Sequence, residues 1–258
     1  MKNLKNLLII SAATLIAAAP VLAEDNNTIP EAQKKQFEQL IHDYLVKNPQ
    51  VLIEVSQSLQ QLQQKQMLAA AEKAIGDNAE QLFANNLTTV GNPKGNVTLV
   101  EFFDYQCAHC KKMTEIINKL VKQNPQLRVI YKEFPIFGGN SDLAAKTALA
   151  AAMQGKYQAM HSSLLQQQKP LTQQSIMDLA KKLNLNIKKL KQDMEAKNIS
   201  EILVNNRQLA EKMHLMGTPA FIVASTPMGK LNEKTKPEFV PGSTNEQILQ
   251  TLINKVTG

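Results

Sequence analysis

A nearly continuous run of apolar, β-branched and aromatic side chains, Val97 to Phe103, leads through Asp104, Tyr105 and Gln106 into the chain's only two cysteines. They stand as Cys107-Ala108-His109-Cys110. The run reads as a buried strand. Behind the cysteines, Met113, Ile116, Ile117 and Leu120 recur at helical spacing, and Leu127 to Phe134 returns to strand character. Strand, helix and strand in this order make a β-α-β unit, so the fold class is α/β.

That order decides what the cysteines can do. A thiol where a strand turns into a helix meets unpaired backbone N–H groups and the positive end of the helix dipole, both of which stabilise a thiolate. Cys107 is therefore the expected nucleophile. Cys110, three residues on and under the first turn, is the expected resolving partner that closes a disulfide. His109, when protonated, would favour the thiolate further. Three other readings stand beside this one. A structural disulfide over so short a loop would be a weak staple. A metal site lacks a fourth ligand within one chain, although two copies would supply four thiolates. A cysteine hydrolase would need His42, His161 or His214 as base, and these lie on helical segments where they read as surface or packing residues.

The first residues look like an address. Lys2 and Lys5 precede an apolar run from Leu7 to Ala19, then Pro20 and the small-residue end Val21-Leu22-Ala23. This is the pattern of a signal peptide over 1–23, cleaved near Ala23, and it implies an oxidising compartment. From Pro30 to about Asn86 the chain is rich in Gln, Ala, Leu and Glu and reads as helix. Phe37, Leu40, Ile41, Tyr44 and Leu45 make one apolar face. Asn48-Pro49 reads as an N-cap and first helical position, after which Leu52, Val55, Leu59, Leu62, Gln66 and Ala69 trace a heptad-like seam. Residues 24–86 are thus expected to form a helical dimerisation region, and 87–258 the catalytic domain. Within the latter, about 141–215 is helical almost throughout, Phe221 to Ala224 is a short strand, and Asn245 to Val256 a closing amphipathic helix. The formal charge of +7 lacks an arrayed aromatic platform, so no nucleic-acid partner is expected.

The segment Glu101-Phe102-Phe103-Asp104-Tyr105-Gln106-Cys107-Ala108-His109-Cys110 resembles the DsbA family of thiol:disulfide oxidoreductases in the thioredoxin superfamily. The resemblance runs from about Val97 to the C-terminus and implies a thioredoxin fold with an inserted helical domain. It implies that Glu101 is a buried acid beside the inner cysteine and that Lys132 is a strand lysine near that acid. Gly217-Thr218-Pro219 is similar to the family's cis-proline loop, which offers Thr218 and Pro219 to an extended substrate strand. The chain departs from the prototype oxidase at Ala108, where that protein has proline, and at Thr218, which matches the disulfide isomerases. The N-terminal helices are similar to those of dimeric DsbA-like proteins related to the 27-kDa outer-membrane antigen and to ScsC.

These resemblances imply a periplasmic homodimer that forms and isomerises disulfides in unfolded or misfolded secreted proteins. They imply a DsbB-like or DsbD-like membrane redox partner, no metal, and no cofactor beyond the Cys107–Cys110 disulfide. Its rivals are a monomeric oxidase with the helices folded back, and a non-enzymatic metal-binding or chaperone protein of the envelope.

Overall fold

A computed structural model describes residues 30–84 and 86–257. The signal segment with Ala23 lies outside the described residues. The chain divides into two compact units, one ending at Ser58 and the other beginning at Leu59. Among the described residues no helix is long and apolar enough to cross a membrane.

The first unit holds α1 (Glu31–Lys47) and the opening turns of α2 (Gln50–Asp77). None of the α1 residues is buried, and Phe37, Leu40, Ile41 and Tyr44 are each more than half exposed. Asn48 acts otherwise than expected. Its backbone N–H (2.9 Å) and Nδ2 (2.8 Å) both donate to the Tyr44 carbonyl, so it closes α1 by satisfying an orphan carbonyl. The next helix begins at Gln50.

The second unit continues with the end of α2, α3 (Ala79–Phe83), β1 (Thr89–Gly91), β2 (Val97–Phe103), α4 (Ala108–Gln123) and β3 (Leu127–Glu133). Five helices follow: α5 (Asn140–Ala152), α6 (Tyr157–Leu165), α7 (Gln173–Lys182), α8 (Ile187–Met194) and α9 (Lys197–Lys212). The chain then returns to β4 (Ala220–Ser225), β5 (Glu238–Pro241) and α10 (Glu246–Thr257). The sheet order is β1-β3-β2-β4-β5. β2 and β3 pair in parallel, and the other neighbours are antiparallel. This is the thioredoxin arrangement, with the helical block inserted between β3 and β4.

Every residue of β2 and β3 is buried, as central strands covered on both faces require. Alternation divides them between two cores. Leu99, Phe103, Val129 and Tyr131 face α4, α10 and the inserted helices. Val100, Phe102 and Ile130 face the other way, onto Ala74 and Ile75 of α2, Leu82 and Phe83 of α3, and Leu209 of α9. Thus the residues from Leu59 to Phe83 belong to the catalytic unit, whose back core they complete.

Candidate active site

Cys107 is the N-cap of α4, and its sulfur accepts from the Cys110 backbone N–H at 3.4 Å. Asp104 shapes the turn from β2, because its carbonyl accepts the Cys107 N–H at 3.1 Å. The Thr218–Pro219 peptide is cis, and the Thr218 carbonyl lies 3.3 Å from Cys107 Sγ. Both cysteines are free thiols, Cys107 5% and Cys110 1% exposed.

The two thiols are pushed in opposite directions. The Cys107 pKa falls to about 5, chiefly because the Cys110 side chain hydrogen-bonds to its sulfur. Burial opposes this, while Thr218 and the backbone N–H groups of Cys110 and His109 reinforce it. Cys110 moves far upward: burial comes first, then the neighbouring Cys107 sulfur and the charge of Glu101. At neutral pH the pair is one thiolate and one thiol, the state that thiol–disulfide exchange needs. His109 acts here through its main chain, and its ring is exposed beside exposed Ala108. The Thr218 hydroxyl is buried without a hydrogen bond of good geometry, yet its nearness still favours the Cys107 thiolate.

Glu101 lies on the face of β2 that carries the cysteines, opposite Tyr131 and Phe221. It is 2% exposed, and its Oε1 has no hydrogen-bond partner among the described residues. Burial, then the charges of Cys107 and Glu133, hold its carboxyl well above the usual range. Lys132 is not beside it. The β2–β3 register sets Glu101 against Tyr131 and Phe102 against Lys132, so by alternation the lysine faces the back core. Its Nζ donates to the Gln81 carbonyl in α3 at 2.7 Å, and burial lowers its pKa to about 8. The expectation of a Glu101–Lys132 pair is therefore corrected: Lys132 anchors α3.

A buried polar cluster stands on the Glu101 face instead. The hydroxyls of Tyr105 and Tyr157 donate to Glu133 Oε1 at 2.8 and 2.9 Å. His161 Nδ1 lies 3.2 Å from the Tyr105 hydroxyl, and its ring stacks on Tyr157. Burial holds Glu133 up at about 8 and His161 down at about 3. Of the three histidines weighed as a hydrolase base, His161 is bound in this cluster, while His42 and His214 are exposed. Glu133 and His161 gave no sequence signal beyond strand and helix periodicity, because the cluster is assembled from three separate segments: the turn after β2, β3 and α6.

Comparison with known proteins agrees with this geometry. The DSBA-like thioredoxin domain family matches residues 98–254, and the copper resistance protein ScsC N-terminal domain matches 33–66. Among solved structures, BcfH of Salmonella enterica Typhimurium is 30% identical, covers 88% of this chain and 97% of its own, and has a TM-score of 0.73. A thioredoxin-like oxidoreductase from Silicibacter pomeroyi is 34% identical over 70% of this chain and 98% of its own, with a TM-score of 0.63. A linker-deletion mutant of Proteus mirabilis ScsC is 25% identical over 90% and 98%, with a TM-score of 0.65. Curated relatives include an NhaA Na(+)/H(+) antiporter of Salinispora tropica, 25% identical over 135 residues. That match takes in 52% of this chain and only 21% of the antiporter's length. With its sheet order, its capped Cys107 and a family match over residues 98–254, the chain belongs to the DSBA-like thioredoxin domain family.

Proposed function

We propose that this chain is a thiol:disulfide oxidoreductase of the periplasm, working on secreted proteins through Cys107 and Cys110. The observation that carries the reading is the placement of the pair: Cys107 caps α4, its sulfur accepts from the Cys110 N–H at 3.4 Å and lies 3.3 Å from the Thr218 carbonyl, an arrangement that lowers the Cys107 pKa to about 5 and leaves Cys110 raised. Starting oxidised, a client thiolate attacks Cys107 Sγ, the Cys107–Cys110 bond breaks, and Cys110 leaves as a thiolate that takes up a proton. Buried Glu101 is the nearby carboxyl able to exchange that proton. A second client thiolate then attacks the client sulfur of the mixed disulfide and expels Cys107, a good leaving group because its thiolate is stable. The client gains a disulfide, and the enzyme is left with two thiols. A DsbB-like partner would reoxidise it; a DsbD-like partner would keep it reduced for isomerisation, in which Cys107 attacks a wrong disulfide. The Thr218–Pro219 loop, its carbonyl beside Cys107, is where a client strand would lie.

In this reading the arm is a dimerisation device. Support comes from the exposed apolar residues of α1 and from Leu52 and Val55 on α2, which a second copy would cover. Cys107→Ser should abolish oxidation of a reduced dithiol peptide, and Cys110→Ala should accumulate a mixed disulfide. A Cys107→Ser protein that still oxidises the peptide would refute the dithiol cycle; one that only suppresses client aggregation, in a wild type with no oxidase activity, would favour the binding-protein rival. Leu52→Arg with Val55→Arg should halve the solution mass and remove repair of scrambled disulfides while leaving dithiol oxidation. An unchanged mass would remove the paired arm from the proposal.

A further inference from the structure

Asp104 is 1% exposed, and its carboxylate accepts four hydrogen bonds. Oδ1 accepts from the Gln106 backbone N–H at 2.6 Å and from the Ser141 hydroxyl at 2.7 Å. Oδ2 accepts from the backbone N–H groups of Ile136 at 2.8 Å and Phe137 at 3.2 Å. Gln106 adds a side-chain bond to Ser141 Oγ at 2.9 Å. The carboxylate thus ties the turn before Cys107 to the strand-to-helix connection after β3 and to the first turn of α5. The main chain of the same residue serves the cysteines. Its carbonyl accepts the Cys107 N–H, and its backbone N–H acts on the Cys110 sulfur.

From this juxtaposition we infer that Asp104 is a positioning residue for the dithiol, its carboxylate fixing a backbone unit that contacts both cysteines. The inference rests on the dithiol reading above and adds a part to it. A negative charge this close to Cys107 disfavours the thiolate through space. A carboxylate suits the position because a charged acceptor makes the strong charge-assisted bonds needed to hold several N–H and O–H groups at once.

The two effects have opposite signs, and this makes the inference testable. Asp104→Asn keeps the size of the side chain but, in either orientation of the amide, sets its NH2 against a backbone N–H, that of Gln106 on one edge or those of Ile136 and Phe137 on the other. If Asp104 acts only as a nearby charge, its loss lowers the Cys107 pKa. If it positions the turn, the pKa rises, by about one unit or more, which is at least a tenfold loss of thiolate on the acid side. The measurement is thiolate absorbance of the reduced full chain against pH, with melting curves of both redox forms as a folding check. Ser141→Ala removes one of the four donors and leaves the charge, so it should shift the midpoint upward by less. This variant decides the matter should Asp104→Asn fail to fold. An unchanged or lowered midpoint in the folded variants overturns the inference. A wild type that oxidises no dithiol peptide overturns the dithiol reading instead, and the titration still reports on Asp104.

Discussion

The lowered pKa of Cys107 makes a quantitative prediction about how its reactivity responds to pH. With a pKa of about 5, Cys107 is about 90% thiolate at about pH 6 and fully so at about pH 9. An ordinary thiol near 8.5 is only about 0.3% thiolate at the lower pH and about 76% at the higher. Alkylation by iodoacetamide should therefore quicken by a factor of about 1.1 between the two for Cys107, against about 240 for an ordinary thiol such as glutathione. Taking the ratio within one protein cancels the effect of the 5% exposure. Absolute rates carry a second signature, because intrinsic nucleophilicity falls with pKa at a Brønsted slope of about 0.4–0.5. Over about 3.5 units that is a loss of about 25- to 56-fold. Before any steric handicap, Cys107 should then be about 5- to 12-fold faster than glutathione at about pH 6 and about 20- to 40-fold slower at about pH 9. Mass spectrometry should find the label on Cys107 alone, since Cys110 keeps its proton throughout. A rate that climbs more than about tenfold across the range would mean that the helix N-cap and the Cys110 hydrogen bond do not hold a thiolate.

Three further outcomes follow from buried contacts. Thr218→Val removes a hydroxyl that favours the Cys107 thiolate without a full hydrogen bond of its own, so the thiolate midpoint should rise with little change in melting temperature; an unmoved midpoint would discount the hydroxyl. Burial raises the Glu133 carboxyl from an ordinary 4.5 to about 8, so its contribution to stability is full below the unfolded value and is lost as pH rises through the folded one. Glu133→Gln still accepts from the Tyr105 and Tyr157 hydroxyls but does not titrate, and its melting temperature should gain on the wild type between about pH 5 and about pH 8.5, whereas parallel profiles would refute the assignment. Phe83→Ala, at a fully buried site on the back core, should cost about 3–5 kcal/mol in chemical denaturation, whereas a surface-like cost below about 1 kcal/mol would place residues 59–83 outside the catalytic unit's core.

Periodicity made much of the architecture legible. The strand that carries Glu101, the helix opened by Cys107 and the long helical block show themselves through local spacing, which a one-dimensional reading captures. What escaped it depends on pairing across the fold. Lys132 is an unremarkable strand lysine until the register with Phe102 is known, and a shift of one residue would have put it beside Glu101. Asn48 and Pro49 suit the start of a helix, but the asparagine's N–H and side-chain amide both donate to the Tyr44 carbonyl, so it closes the helix before it. Residues 59–83 share the Gln- and Ala-rich texture of the arm, and only the apolar back of β2 shows why Ala74, Ile75, Leu82 and Phe83 are buried. The set of Tyr105, Glu133, Tyr157 and His161 spans fifty-odd positions, and only Tyr157 and His161, four apart on α6, are linked by a spacing rule.

The exposure of Ala108 and His109, between two sulfurs that are themselves buried, has a consequence for how such a protein can change over time. The main chain of this turn does the holding: Asp104, Gln106 and the N–H groups of His109 and Cys110 fix the geometry, while the two side chains between the cysteines meet mostly water. Exchanges at these positions therefore cost the fold little. A lineage can vary this dipeptide freely while the backbone geometry that holds the two sulfurs is inherited unchanged from the rest of the domain.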